Sequence, residues 1–187
     1  MKQIKETLDE ILNNFTKLIE QSTPNIQEAS KLIIKSLKDG KKIMFCGNGG
    51  SAADAQHLST ELVGRYMKNR KPLASIALTT DTSAITAISN DFSFDEIFSR
   101  QIQAIGNDGD VLYAISTSSK SKNVIAALQT ARSLKIKTIG VSGADHSGFK
   151  DLCDIIISVP ALRPDRIQEM HIAIGHIICE ILESELC

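Results

Sequence analysis

The sequence has no excess of charge of either sign. Its 187 residues include 21 Lys and Arg against 22 Asp and Glu, which gives a formal net charge of −1. Proteins that bind nucleic acid or an anionic membrane surface usually carry a basic patch, so we expect neither as a partner. An anionic ligand would have to be held locally, by donors placed around it.

The sequence also lacks a long apolar segment near its start and closely spaced cysteines. Residues 1–6 are charged and lead into an amphipathic pattern, unlike a signal peptide or a membrane-spanning helix, so we expect a cytoplasmic protein. Cys46, Cys153, Cys179 and Cys187 show no Cys-x-x-Cys spacing. This argues against a zinc knuckle or a redox dithiol and favours reduced, structural thiols.

No low-complexity linker and no fixed-period repeat interrupts the chain, so we expect a single domain over residues 1–187. Apolar residues three to four positions apart predict an amphipathic helix over the first twenty residues. A second helix is predicted to begin at Thr23 as N-cap, with Pro24 at its first position, and to end at Gly40. These helices occupy residues 1–39 and precede an α/β core in residues 40–187.

Strands and helices are predicted to alternate in that core. Short apolar stretches predict strands near residues 42–46, 74–78, 110–115, 136–141 and 154–158. Helices are predicted over residues 50–64, 82–90, 94–104, 121–134 and 165–185. Helical segments between strands imply right-handed crossovers and a parallel sheet covered on both faces. The predicted fold is an α/β three-layer sandwich with a five-stranded, flavodoxin-like parallel sheet.

Two loops that follow predicted strands are suited to hold a phosphate group. The glycine loop, residues 47–51, joins a strand to a helix, and the serine loop, residues 116–121, opens a later helix with several hydroxyl groups. Ligands of such sheets bind beyond the carboxyl ends of the strands, where helix N–H groups face an anion. Serine and threonine also cap helices and fill turns without a ligand, so either loop alone leaves that alternative open.

A dinucleotide site is the competing interpretation of the glycine loop. Gly47, Gly49 and Ala52 satisfy a relaxed G-x-G-x-x-[GA] pattern after a strand, and Asp81 follows the next strand. Asp81 lies farther along the chain than the usual ribose-binding acid, and the serine loop has no role in such a site. A phosphate site is therefore favoured over a nucleotide site.

Reactive side chains occur on two predicted helices. His57 and Glu61 are four residues apart and share one helix face, a spacing that suits two metal ligands or an acid and a base. Such a pair can also be a solvated surface pair. His176 lies between Ile174 and Ile177 on the last helix, which indicates burial, either in the core or between subunits.

Taken together, these motifs resemble those of the phosphoheptose isomerases, within the wider family of sugar isomerase (SIS) domains. The likeness covers nearly the whole chain. It rests on the segment GNGGSAADAQH together with Asn90-Asp91-Phe92, Phe98-Ser99-Arg100, Asp110-Val111-Leu112, Ser116-Thr117-Ser118 and Arg166-Ile167-Gln168-Glu169. The resemblance implies an enzyme that interconverts sedoheptulose 7-phosphate and D-glycero-D-manno-heptose 7-phosphate, the first step toward nucleotide-activated heptose. It also implies a cytoplasmic homotetramer with sites at subunit interfaces, in which residues 1–39 take part in oligomer packing.

The resemblance further implies which residues form the site. The residues implied to contact the sugar phosphate are Asn48, Gly49, Gly50, Glu61, Asn90, Asp91, Ser116, Thr117, Ser118, Ser121 and Gln168. Zinc, one ion per site, is implied at His57, Glu61, Gln168 and His176. Glu61 and His176 are also implied as the acid and base that carry protons through an enediol.

Two further points qualify the resemblance. Many relatives have Gly-Asn where this chain has Ser119-Lys120, so the backbone of the serine loop is more restricted and carries an added charge. The alternative in the same fold is a non-catalytic adaptor that associates with the replication initiator DnaA. That adaptor lacks a glutamate and a histidine at the positions of Glu61 and His176, so the presence of both favours the enzyme.

Overall fold

A computed structural model describes residues 2–187. The helices are α1 (Lys2–Lys38), α2 (Gly50–Val63), α3 (Thr82–Asp91), α4 (Ser99–Ile105), α5 (Lys122–Ser133) and α6 (Pro164–Leu186). The strands are β1 (Ile43–Gly47), β2 (Ser75–Ala77), β3 (Val111–Ser116), β4 (Lys137–Ser142) and β5 (Ile155–Ser158). Most boundaries lie within one or two residues of the predicted ones, which is the usual uncertainty of helix and strand ends.

The five strands form one parallel sheet in the order β2-β1-β3-β4-β5. The predicted flavodoxin-like α/β fold is therefore confirmed. All residues of β1 and β3 are buried, as expected for central strands covered on both faces. The carboxyl ends of the strands meet at one edge of the sheet, called the carboxyl edge below.

Helices cover the sheet on both faces and create two apolar cores. Residues of α1, α2 and α6 pack on one face, with Ile33, Leu58 and Ile174 among the buried side chains. Residues of α4 and α5 pack on the other, around Phe98 and Leu128. This arrangement places α2 and α6 side by side on the same face.

The predicted break between two N-terminal helices is wrong, because α1 continues through Pro24. The hydroxyl of Thr23 donates to the carbonyl of Ile19 within the helix instead of capping a new one. On either side of the proline, Ser22 Oγ donates to Ser158 O and Asn25 Nδ2 donates to Ile156 O, both at β5. Packing against the sheet thus holds together a helix that the proline alone would weaken.

The helix predicted over residues 94–104 is also wrong in its first half. A short 3₁₀ turn covers Phe94–Glu96, and α4 begins only at Ser99. The Ser99 hydroxyl donates to the carbonyl of Glu96, an alternative to a helical hydrogen bond. Within residues 2–187, no helix is both long and apolar enough to cross a membrane.

Candidate active site

The glycine loop makes a tight turn from β1 into α2 at the carboxyl edge. Gly49 has a φ of 56°, in the left-handed region that favours glycine. A Cβ on Gly47 would lie 2.7 Å from the carbonyl oxygen of Ser51, so this close turn leaves no room for a side chain there. The N–H groups of Ser51, Ala52 and Ala53 donate to the carbonyls of Asn48 and Gly49, so the N–H of Gly50 is the one at the start of α2 best suited to an anion.

A pair of side-chain amides joins the glycine loop to the helix that follows the serine loop. Asn48 and Asn123 exchange two hydrogen bonds of 2.8 Å each, and Asn123 is buried near the start of α5. The pair fixes the orientation of the Asn48 carboxamide. These hydrogen bonds therefore connect the two predicted phosphate-binding loops at the carboxyl edge.

The serine loop presents its hydroxyl groups at the same edge. The hydroxyls of Ser116 and Ser121 lie 3.1 Å apart, and Ser118 Oγ accepts the backbone N–H of Lys120. Thr117, Ser118 and Lys120 line a surface cavity of about 210 Å³. This cavity is large enough for a phosphate group with part of a sugar chain.

Ser119 adopts a left-handed backbone conformation of the kind that favours glycine. Its φ is 54°, and its side chain is fully buried. The hydroxyl donates to Asp145 O and accepts the N–H of Gly148, while Lys120 Nζ lies 2.8 Å from Asp145 Oδ2. These contacts offset the strain of a left-handed serine and fasten the serine loop to residues 145–148.

His57, Glu61 and His176 form a side-chain cluster on neighbouring faces of α2 and α6, called the His–Glu–His cluster below. His57 Nε2 lies 2.8 Å from His176 Nε2 and 3.4 Å from Glu61 Oε1. One potential ligand atom from each residue lies within 4.8 Å of the other two. Two imidazole nitrogens at this distance require a proton or a cation between them, since their lone pairs repel.

The chemistry of this cluster fits zinc, which binds imidazole nitrogen and carboxylate oxygen in proteins. The side chains of His57 and Glu61 are 46% and 20% exposed, so an ion or a small molecule can reach them. A surface histidine–glutamate pair, the alternative left open by the sequence, would lack the third group from another helix.

Gly175 explains why the two helices approach closely enough to form the cluster. A Cβ at this position would lie 2.4 Å from Leu58 Cδ2, so only glycine permits this contact between α6 and α2. His57 and His176 are the sequence neighbours of this contact. Their meeting is therefore a consequence of helix packing at Leu58 and Gly175.

Gln168, the other predicted ligand, lies nearer the carboxyl edge. Its carboxamide packs on Gly50, where an added Cβ would approach Nε2 to 2.6 Å. Eight residues separate it from His176, about 12 Å along the helix axis at ~1.5 Å per residue. Gln168 thus contacts the glycine loop, about two helical turns from His176.

Comparison with known proteins identifies the family. The SIS domain model matches residues 7–143. A phosphoheptose isomerase of a Nitratiruptor species is 50% identical over 184 residues, which cover 98% of each chain. One of Aliarcobacter butzleri is 53% identical over 170 residues, or 91% of this chain and 90% of its relative. The chain belongs to the phosphoheptose isomerases of the SIS domain family.

A solved structure of this family has the same fold throughout its length. The phosphoheptose isomerase from Neisseria gonorrhoeae is similar with a TM-score of 0.92 and 39% identity, covering 98% of both chains. The paired helices α2 and α6 and the loops at the carboxyl edge thus belong to an isomerase scaffold.

Two predicted sugar-contacting residues lie side by side at the end of α3. Asn90 and Asp91 are exposed at the end of α3, where Asn90 Nδ2 donates to Asp91 Oδ1 at 2.8 Å. Asp81 accepts the N–H of Ala84 as the N-cap of α3, so it serves as a cap and not as a ribose ligand.

Sequence reasoning missed two side chains beside the cluster. Burial raises the pKa of Asp54 to about 6, although nearby His57 lowers it. The ring of Tyr66 stacks on His176 with centroids 5.9 Å apart. Helical spacing could have indicated Asp54, three residues before His57. Tyr66 follows the end of α2, where no periodic signal predicts its direction.

Proposed function

We propose that the chain is an aldose–ketose isomerase that converts sedoheptulose 7-phosphate into D-glycero-D-manno-heptose 7-phosphate, the first step toward nucleotide-activated heptose. The observation that carries this proposal is the His–Glu–His cluster, which stands near two loops suited to a phosphate group. Membership of the phosphoheptose isomerases supports the choice of substrate.

The loops are proposed to bind the substrate without reacting with it. Ser116, Thr117, Ser118 and Ser121 hold the phosphate through hydroxyl and backbone N–H donors. The sugar chain lies against Asn48, Gly49 and Gly50, with Gln168 beside it, and Asn90 and Asp91 complete its contacts. The fixed amide of Asn48 supports this assignment, since a preorganised donor loses little entropy on binding.

Glu61 and His176 are proposed to carry the protons. One group removes a proton from C1 of the open-chain ketose, the electron pair forms a C1=C2 double bond, and the C2 carbonyl oxygen takes up a proton to give an enediol. A proton then adds at C2, the hydroxyl proton at O1 is lost, and O2 is left as a hydroxyl, so the product is the aldose. Two proton carriers on opposite sides of the enediol suffice for this sequence.

The same residues are proposed to hold zinc, with His57, Glu61, Gln168 and His176 as ligands. Bound zinc would polarise the substrate carbonyl or fix the geometry of the site. An atom that binds the metal cannot use the same lone pair to accept a proton. Glu61 has a second carboxylate oxygen and His176 a second ring nitrogen, so each can bind the metal through one atom and exchange a proton at the other.

The chain is further proposed to act as a cytoplasmic homotetramer with sites at subunit interfaces, in which the N-terminal region takes part. Large apolar side chains exposed on α1 support this: Ile4, Leu8, Leu12 and Ile19 are each 59–68% exposed. Val63, Met67 and Ile177 are exposed close to the His–Glu–His cluster. A second subunit on these surfaces would bury them and could bring Asn90 and Asp91 to a neighbouring site.

The proposal is tested by incubating the purified chain with sedoheptulose 7-phosphate, with and without added zinc, and following the aldose by NMR. We expect conversion by the wild type and none by Glu61→Gln. Absence of conversion under both conditions would contradict the isomerase. The DnaA-associated adaptor is not favoured, because Glu61 and His176 are both present and meet in one cluster.

A further inference from the structure

A buried ion pair connects α6 to the segment that follows α2. Arg70 Nε donates to Glu183 Oε1 at 3.0 Å, and the two side chains are only 4% and 3% exposed. Glu183 occupies the last turn of α6, where the helix dipole disfavours a negative charge. Stability of the helix itself therefore gives no reason for a carboxylate at this position.

Glu183 shapes the chain after α2. Besides Arg70, its carboxylate accepts the backbone N–H groups of Tyr66, Met67 and Lys68 at 3.3, 2.8 and 2.7 Å. These three residues lie outside any helix or strand, so their N–H groups have no ladder partner. One buried carboxylate thus fixes the path of residues 66–68 against α6.

Arg70 holds the end of α2 from the other side. Its Nη2 donates to the carbonyl of Glu61 at 2.8 Å, and its Nη1 donates to the carbonyl of Leu62 at 2.9 Å. Both carbonyls belong to the last turn of α2, which the helix cannot satisfy itself. The guanidinium therefore caps the turn that carries the Glu61 carboxylate.

The segment shaped by Glu183 also contacts the other proton carrier. Tyr66, the first residue whose N–H Glu183 accepts, stacks on His176 with an interplanar angle of 29°. His176 and Glu183 are seven residues apart, so they lie on the same face of α6. The backbone at Glu61 and the ring of His176 are thus both tied to one ion pair.

We propose that Glu183 and Arg70 are positioning residues for Glu61 and His176, acting through the α2 cap and through Tyr66. This inference rests on the proposed function for the roles of Glu61 and His176. Neither Glu183 nor Arg70 contacts the phosphate-binding loops. Loss of the ion pair should therefore slow the chemical step and leave substrate binding nearly unchanged.

The test compares Glu183→Gln with a matched control, Asp110→Asn. Asp110 is also buried, pairs with Lys42, and accepts the backbone N–H groups of Lys42 and Asn107. It stands at the opposite end of the sheet, just before β3. Both variants lose a buried carboxylate that is hydrogen-bonded to a cation and to backbone, but only one should affect the reaction.

For Glu183→Gln we expect kcat to fall about 10- to 100-fold, the usual cost of losing a group that orients a reacting side chain. KM should stay within about twofold of the wild-type value. In protein labelled with ¹⁵N-histidine, the His176 resonances should shift. Asp110→Asn should keep the kcat and the His176 resonances of the wild type, even if its melting temperature falls as far as that of Glu183→Gln.

Two further variants keep the inference testable if Glu183→Gln does not fold. Arg70→Lys retains the charge but loses the guanidinium that binds the carbonyls of Glu61 and Leu62. We expect a smaller fall in kcat than in Glu183→Gln, with the same shift of the His176 resonances. Tyr66→Phe should retain activity, and Tyr66→Ala should lose it. Wild-type kcat and unshifted His176 resonances in Glu183→Gln, or in Arg70→Lys where the former does not fold, would overturn the inference. If the wild type converts no sugar, the proposed function fails, while the His176 resonances still test the positioning.

Discussion

The carboxyl edge of the sheet and the His–Glu–His cluster present different kinds of chemical group. At the edge, the two loops present backbone N–H groups, hydroxyls and one paired amide, all set by the backbone path. The cluster presents three ionisable side chains on the faces of two helices. The contrast supports the proposal that the loops hold the substrate while side chains of the two helices carry out the reaction.

The largest predicted effect belongs to the cluster. Glu61→Gln or His176→Gln removes a proton carrier, and we expect kcat to fall by about 10²–10⁴-fold, the usual contribution of general acid–base catalysis. Binding of sedoheptulose 7-phosphate, measured by calorimetry, should change little, and circular dichroism should show an intact fold. Wild-type turnover in either variant would show that its side chain carries no proton. The reaction could then no longer be assigned to the cluster as distinct from the loops.

A second histidine on α6 should contribute to stability and not to the reaction. His171 is 2% exposed, and neither ring nitrogen has a hydrogen-bond partner of normal geometry within residues 2–187. Burial lowers its pKa from 6.5 to about 4, and the nearby backbone of Ser142 opposes this only in part. The unfolded chain therefore binds a proton at higher pH than the folded chain does, and stability is lost as pH falls from about 6.5 to about 4.

This loss should reach about 3 kcal/mol, and it is measured as the free energy of unfolding in denaturant across that pH range. His171→Leu should remove most of the slope, whereas the exposed control His146→Gln should retain it. An unchanged slope in His171→Leu would show that other groups govern acid stability.

An intermediate effect is predicted for the serine loop. Ser118→Ala removes one hydroxyl that is proposed to donate to the phosphate, and we expect KM to rise about tenfold or more, since a hydrogen bond to a charged group contributes ~1.5–3 kcal/mol. The kcat value should stay near that of the wild type. Ser133→Ala, at the exposed end of α5, is the matched control and should change neither constant. A fall in kcat without a rise in KM would place Ser118 with the reaction chemistry.

The smallest effect is predicted for the shape of the glycine loop. Gly49→Ala adds a methyl group that meets no atom within 4 Å, so only the strain of a positive φ opposes it. We expect a loss of about 1 kcal/mol in unfolding free energy. Gly50→Ala should perturb the site more, because its Cβ collides with Gln168. Equal kinetics for the two variants would contradict the contact between Gln168 and the loop.

The two regions also differ in how far sequence predicted them. The loops and the pairing of His57 with Glu61 could be predicted, because strand-to-helix turns and the spacing of four residues are local features. The meeting of His57 with His176 was implied only by the resemblance and by no local pattern, since it depends on the packing of Gly175 against Leu58. Residue patterns gave no signal for Tyr66, whose position follows from tertiary hydrogen bonds.

The predicted helix break at Thr23 failed for a related reason. Proline at a helix start is a sound local rule, but the contacts of Ser22 and Asn25 with β5 favour a continuous α1. Tertiary packing thus made the local prediction of a helix start at Thr23 wrong. In the same molecule, the local prediction of a strand-to-helix turn at the glycine loop was correct.

Transfer of solvent hydrogen during turnover tests the central claim most directly. The wild-type chain is incubated with sedoheptulose 7-phosphate in D₂O, and the aldose is analysed by NMR. Proton carriers on opposite sides of an enediol predict deuterium at C2 of the product. An aldose that carries no deuterium there after many turnovers would mean that the hydrogen moves from C1 to C2 without solvent exchange, by direct transfer or through one shielded base, and it would contradict the separate roles of Glu61 and His176.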